Sequence, residues 1–112
     1  MQQLPLEITP REVRRRTDLG ETVHLIDVRE PAEHAIAHIE GAELIPMGSI
    51  PARLQHLEGL ADDGTLVIFC HLGVRSLNVV AWLREQGVEN GQSMAGGIDR
   101  WSEEIDASVP RY

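Results

Sequence analysis

The chain of 112 residues contains one cysteine, Cys70. One cysteine cannot form a disulfide within the chain, so the fold does not depend on an oxidising compartment. The N-terminus has neither the basic nor the apolar segment of a secretory signal peptide, and no apolar run approaches the length that spans a bilayer. These absences predict a cytoplasmic protein with no membrane partner.

Basic residues are also few: ten Lys and Arg stand against 18 Asp and Glu, which gives a formal net charge of −8. Because non-specific nucleic-acid binding depends on basic surface, this balance argues against a nucleic-acid partner. A small anionic substrate would need a locally positive pocket, whereas a protein partner with a basic face would be attracted. The length and the 42% hydrophobic content predict a single domain over residues 1–112 with a core of its own.

Strand-like and helix-like segments alternate along the chain. This pattern predicts an α/β fold with a central, mostly parallel five-stranded sheet and helices on both faces. The predicted strands are residues 6–8, 23–28, 42–45, 65–69 and 92–94. The predicted helices begin at a Thr9 cap, at Pro31, at a Ser49 cap, at Ser76 and at Ile98.

The segment around Cys70 carries the chemistry. Cys70 ends an apolar strand, Arg75 follows five residues later, and a helix is predicted directly after Ser76. Ligands of open α/β sheets bind at this end of the strands, where helix N-termini present N–H groups. A loop of four residues between Cys70 and Arg75 turns backbone N–H groups inward, and Arg75 adds a permanent cation. Each of these features favours a thiolate, and Gly73 allows a positive φ or a close approach of substrate.

We therefore predict Cys70 as the catalytic nucleophile and the loop as its substrate-binding cradle. The loop residues are His71, Leu72, Gly73, Val74, Arg75 and Ser76. His71 is adjacent to Cys70 in sequence, so the two side chains are expected to diverge rather than form a catalytic dyad. The alternative is an inert cysteine, since free cysteine is among the most buried residue types. His34 and His38 have the i, i+4 spacing of two metal ligands, but no further ligand can be assigned and no metal site is predicted.

Several spaced motifs resemble the rhodanese family of sulfurtransferases over nearly the whole chain. The segments that carry the resemblance are Leu25–Glu30, Glu33 with His38–Ala42, Cys70–Ser76 and Ala95–Trp101. The segment from Gly97 to Tyr112 is also similar to the C-terminal rhodanese domains of molybdopterin-synthase sulfurating proteins.

The resemblance implies a compact α/β domain in which Cys70 carries a persulfide. Asp27 and Arg29 would be supporting, mainly structural residues, and Gly96 and Gly97 would let a loop pass close to the site. The implied reaction moves a sulfane sulfur from thiosulfate or a protein persulfide to cyanide, a thiol or a sulfur-carrier protein. It needs no metal or organic cofactor, because the covalent intermediate divides the transfer into two steps.

Two alternatives stay open. A rhodanese-like binding module would use the fold only to dock a partner, and a buried cysteine would favour it. A cysteine-dependent phosphatase would use the same architecture, but phosphatase loops place five residues between Cys and Arg. The four residues of this loop favour sulfur as the transferred group.

Overall fold

The computed structural model describes residues 4–112, and its centre is a five-stranded sheet. The strands are β1 Glu7–Ile8, β2 Val23–Asp27, β3 Glu43–Leu44, β4 Thr65–Phe69 and β5 Gly91–Met94. They lie in the order β1-β5-β4-β2-β3, and all four neighbouring pairs are parallel. The predicted α/β class and the five strands are confirmed.

Within the described residues 4–112, four α-helices connect these strands and a fifth follows β5. They are α1 Pro10–Asp18, α2 Pro31–Ile36, α3 Leu54–Asp63, α4 Val74–Glu85 and α5 Gly97–Glu104. Within residues 4–112, none is both long and apolar enough to cross a membrane.

Strand β4 lies between β2 and β5, and both of its faces are covered. Leu66 and Ile68 belong to a core cluster that includes residues of α3 and α4. Val67 and Phe69 point the other way, into a second cluster that includes residues of α1 and α5. Burial on both faces explains why this strand is a continuous apolar run rather than an alternating one. It also places Cys70, the next residue, at the carboxyl edge of the sheet.

Two predicted helix starts differ from the structure. Ser49 does not cap α3, because residues 47–49 and 51–53 form successive 3₁₀ turns, each following or beginning with a proline, and α3 begins at Leu54. Helix α4 begins at Val74 rather than Ser76, directly after Gly73, which has a φ of +104°. The earlier start matters for the cysteine loop, because it places Arg75 inside the first helical turn.

A buried ion pair fixes the chain where it leaves β2. Both Nη2 and Nε of Arg29 donate to the carboxylate of Asp27, at 2.7 and 2.9 Å, and both side chains are fully buried. Nη2 also donates to the carbonyl oxygen of Ala37 at 2.7 Å. The pair therefore anchors the segment after α2 to the end of a core strand.

We expect Asp27→Asn to lower the free energy of unfolding by about 3 kcal/mol, because it leaves the buried guanidinium without a counter-charge. Asp62→Asn is the control, because it removes an equal charge from an exposed position of α3. It should change the free energy of unfolding by less than about 0.5 kcal/mol. Urea unfolding of both variants measures the difference; equal midpoints would show that the buried pair does not stabilise the fold.

Candidate active site

The sulfur of Cys70 lies at the base of the loop that joins β4 to α4. The residue is 1% exposed. Its Sγ accepts the backbone N–H of Gly73 at 3.1 Å and that of Ser76 at 3.4 Å. The predicted inward-turned amides are thus present, and they are donors that stabilise negative charge on the sulfur.

A pair of buried serines lies behind the sulfur. Ser76 Oγ is 3.4 Å from Cys70 Sγ and 2.7 Å from Ser93 Oγ on β5, and it is also 3.3 Å from the carbonyl oxygen of Gly73. A hydroxyl has one proton to donate. If Ser93 donates to Ser76, the proton of Ser76 is shared between the sulfur and the Gly73 carbonyl. Ser93 was not predicted from the sequence as part of the site.

Helix α5 holds the other side of the loop. The N–H groups of Ile98 and Asp99 donate to the carbonyl oxygens of Cys70 and His71, at 2.9 and 3.1 Å. This contact requires Gly97, which has a φ of +59° and whose added Cβ would lie 2.5 Å from the carbonyl oxygen of Cys70. The predicted supporting glycines, Gly96 and Gly97, therefore lie against the cysteine loop.

The loop surrounds a shallow pocket of about 150 Å³. Its lining residues are Cys70, His71, Leu72, Val74 and Arg75. Leu72 and Val74 are 58% and 70% exposed, so the rim of the pocket is apolar. Of the predicted binding residues, Gly73 and Ser76 donate backbone N–H groups to the Cys70 sulfur. The other predicted binding residues line the pocket.

Arg75 is bound by Glu33, a residue that was not predicted as part of the site. Its Nη1 and Nη2 donate to Glu33 Oε1 and Oε2 at 2.7 and 2.9 Å. Arg75 lowers the pKa of Glu33 to about 2, and hydrogen bonds from the Tyr112 hydroxyl and the Glu30 backbone act in the same direction. Arg75 is the permanent cation predicted for the loop, and the structure pairs it with a carboxylate that stays ionised.

Tyr112 closes the network from the last residues of the sequence. Its hydroxyl donates to Glu33 Oε2 at 2.8 Å and accepts from Arg29 Nη1 at 2.9 Å. Burial raises its pKa, so the hydroxyl keeps the proton that it donates. The ring stacks on His71 with centroids 4.0 Å apart. This stacking agrees with the expectation that His71 does not form a dyad with Cys70.

The predicted supporting residues Asp27, at the end of β2, and Arg29, just after it, reach the site through Tyr112. Arg29 joins the hydroxyl of Tyr112 to Asp27, and it also donates to the carbonyl oxygen of Glu33 at 3.2 Å. They act behind the pocket rather than in its wall.

No group of three or more His, Cys, Asp and Glu side chains within residues 4–112 is arranged to hold a metal ion. The rings of His34 and His38 stack on each other, with their centroids 5.0 Å apart.

Comparison with known proteins gives consistent matches. The profile of the family described as "Rhodanese-like domain" matches residues 9–104. The chain is 39% identical over 105 residues to the probable adenylyltransferase/sulfurtransferase MoeZ of Mycobacterium tuberculosis, covering 94% of this chain but 26% of that protein. It is 40% identical over 96 residues to the thiosulfate sulfurtransferase GlpE of Haemophilus influenzae, covering 85% and 86% of the two chains.

A solved structure with the same fold is that of SSP1007 from Staphylococcus saprophyticus. It superposes with a TM-score of 0.77 at 34% identity and covers 96% of this chain and 100% of that one. The chain thus spans the full length of some relatives and about a quarter of others, such as MoeZ.

A methyl group at position 97 should displace the cysteine loop. We expect Gly97→Ala to destabilise the protein by at least about 2 kcal/mol, because the Cβ meets two backbone carbonyls at a strained φ. Gly87→Ala is the matched control, since its φ is also positive, at +94°, but its Cβ meets nothing within 4 Å. Thermal unfolding of both variants measures the difference in stability. An equal loss of stability in the two variants would mean that the positive φ, and not the contact with the loop carbonyls, causes the destabilisation.

The Glu33–Arg75 pair should appear in the pH dependence of stability. The pKa of Glu33 falls from 4.5 to about 2 on folding, so its contribution is complete above pH 4.5 and is lost as the pH falls to 2. At pH 6 we expect the free energy of unfolding of the wild type to exceed that of Glu33→Gln by about 1 kcal/mol. This is the upper end of the usual range for a partly exposed ion pair. The difference should shrink towards zero at pH 2. Urea titrations at several pH values measure it, and a difference independent of pH would contradict the ion pair.

Proposed function

The chain belongs to the rhodanese-like domain family, and from this premise we propose that it is a sulfurtransferase that carries a sulfane sulfur as a persulfide on Cys70. Sulfurtransferase activity is supported by relatives named for it, among which GlpE matches this chain over most of both lengths. The single observation that carries the proposal is the position of Cys70 Sγ, which lies under a small pocket and accepts two backbone N–H groups.

The reaction proceeds in two displacements. The Cys70 thiolate attacks the outer sulfur of a donor, a new S–S bond forms, and the donor's bond to that sulfur breaks with its electron pair leaving on the donor remnant. Thiosulfate releases sulfite in this step, and a protein persulfide releases a thiolate. An acceptor nucleophile then attacks the outer sulfur of the Cys70 persulfide and regenerates the thiolate. Cyanide, a thiol or a sulfur-carrier protein fits this role.

The loop amides support both displacements. The Gly73 and Ser76 N–H groups stabilise charge on the thiolate before the first attack and on Sγ as it leaves in the second. A reducing compartment keeps Cys70 available as a thiol, and we place the reaction in the cytoplasm for that reason.

One observation favours the binding module instead, namely the 1% exposure of Cys70. Burial of the residue does not separate the two functions here, because Cys70 also lines the pocket. Reactivity separates them. A module predicts slow alkylation by a small reagent such as iodoacetamide, whereas the carrier predicts fast alkylation that Cys70→Ser abolishes.

The persulfide is tested directly by intact mass. Incubation with thiosulfate should add one sulfur atom to the wild type, cyanide should remove it as thiocyanate, and Cys70→Ser should remain unchanged. Asp62→Asn serves as a control that leaves the loop intact. A wild-type protein that gains no sulfur from thiosulfate or from a low-molecular-weight persulfide would refute the proposal, as would an adduct that persists in Cys70→Ser.

A further inference from the structure

We propose that Glu33 determines which sulfur donors the site accepts, and that it selects donors with one negative charge over dianions such as thiosulfate. The inference rests on the proposed sulfur transfer through Cys70. It concerns a residue outside the cysteine loop, contributed by α2.

The carboxylate of Glu33 accepts hydrogen bonds from both Nη1 and Nη2 of Arg75. This edge of the guanidinium would otherwise be free to bind an anion. The two charged hydrogen bonds measure 2.7 and 2.9 Å. This is the bidentate geometry in which arginine binds carboxylates most strongly. A sulfur donor that binds through this edge of Arg75 must therefore compete with a carboxylate already in place.

Two further contacts keep the carboxylate there. The Tyr112 hydroxyl donates to Oε2 at 2.8 Å, and the Glu30 backbone N–H donates to Oε1 at 3.2 Å as part of a capping box at the start of α2. Tyr112 is itself held by Arg29 and by its stack on His71. Glu33 is thus held by hydrogen bonds at its backbone and at both carboxylate oxygens. The two N–H groups of Arg75 that bind it can therefore reach a substrate only if their bonds to Glu33 break.

The charge balance of the pocket follows from this pairing. Arg75 is the permanent cation among the pocket-lining residues, and Glu33 cancels its charge. The rim residues Leu72 and Val74 are apolar and exposed. Attack by the Cys70 thiolate on thiosulfate assembles three negative charges at this site, whereas a monoanionic donor assembles two. A net-neutral, apolar-rimmed pocket therefore disfavours the dianion most.

Methanethiosulfonate is a matched donor, because a methyl group replaces one oxyanion of thiosulfate. In both reactions the Cys70 thiolate attacks the outer sulfur and forms the persulfide bond. The S–S bond of the donor breaks, and its electron pair leaves on sulfite from thiosulfate or on methanesulfinate from methanethiosulfonate. Cyanide then removes the outer sulfur as thiocyanate, which gives one readout for both donors.

The test compares kcat/KM for the two donors in the wild type and in Glu33→Gln. Glutamine keeps the volume and the capping box but releases Arg75. We expect kcat/KM for thiosulfate to rise about fivefold, which corresponds to an ion pair at the upper end of the partly exposed range. The value for methanethiosulfonate should change less than about twofold, so the donor ratio shifts. Glu40→Gln is the control for net charge, since that side chain is 99% exposed and does not contact Arg75; it should leave the ratio unchanged.

Tyr112→Phe separates positioning from folding. Phenylalanine keeps the ring that stacks on His71 and removes the hydroxyl that donates to Glu33 and accepts from Arg29. We expect a smaller shift of the donor ratio in the same direction, together with a lower unfolding midpoint, because Arg29 Nη1 also loses an acceptor. A purely structural role would lower both donors' rates together.

The outcomes distinguish this inference from the proposed function. If intact mass shows no sulfur on Cys70 from either donor, the sulfur transfer itself is refuted. If the adduct forms but Glu33→Gln leaves the donor ratio unchanged or lowers the thiosulfate rate more than the methanethiosulfonate rate, only the role of Glu33 is refuted.

Discussion

The buried guanidinium of Arg29 is the interaction on which the site depends. One side chain joins the end of β2 through Asp27, the segment after α2 through Ala37, the backbone of Glu33 and the hydroxyl of Tyr112. A planar group with five donors is needed to reach acceptors in so many directions, which lysine cannot do. Because a buried charge must be fully satisfied, these segments are held in one arrangement. The carboxylate of Glu33 is thereby presented to Arg75.

A second constraint acts on the cysteine loop from the opposite side. The first turn of α5 uses its free N–H groups on the carbonyls of Cys70 and His71, which turns the loop's own N–H groups towards the sulfur. A helix N-terminus that binds backbone in this way is not available to substrate. The anion-binding capacity of the site therefore comes from the loop and from the start of α4, both of which face Cys70.

The sequence predicted the elements that are decided locally. The apolar run of β4 ends at Phe69 as expected, and strand, loop and helix follow one another around Cys70 in the predicted order, although α4 begins two residues before the predicted Ser76. The family resemblance is confirmed by the profile match over residues 9–104. Ser49 failed as a helix cap because neighbouring prolines imposed 3₁₀ turns, which a capping pattern alone does not reveal.

Contacts distant in sequence were the part that sequence patterns could not supply. Glu33 and Arg75 are 42 residues apart, and Glu33 and Tyr112 are 79 apart. Glu33 lay in a segment that resembles the family, but nothing in that segment indicates which cation it pairs with. Tyr112 ended a segment that resembles a family of rhodanese domains, but nothing in that segment indicates that its hydroxyl contacts Glu33 and Arg29. Arg75 was predicted as the permanent cation of the loop, but its pairing with Glu33 depends on a contact that only the tertiary fold brings about.

The burial of Cys70 affects how the proposed sulfur carrier exposes the transferred sulfur to an acceptor. Cys70 is 1% exposed, and its sulfur accepts a hydrogen bond from a backbone amide of the loop. This arrangement stabilises a negative charge on the sulfur but leaves little of the thiol accessible to a partner. A persulfide sulfur stands about 2.05 Å further out along the new bond. In the proposed cycle, that extension would bring the outer sulfur from the amides into the pocket of about 150 Å³ that Cys70 lines. In the proposed cycle, the inner sulfur remains held by the protein as a stabilised leaving group, and the outer sulfur alone faces an acceptor past the apolar rim. In that proposed cycle, the same geometry that buries the thiol would direct attack to the sulfur that is transferred.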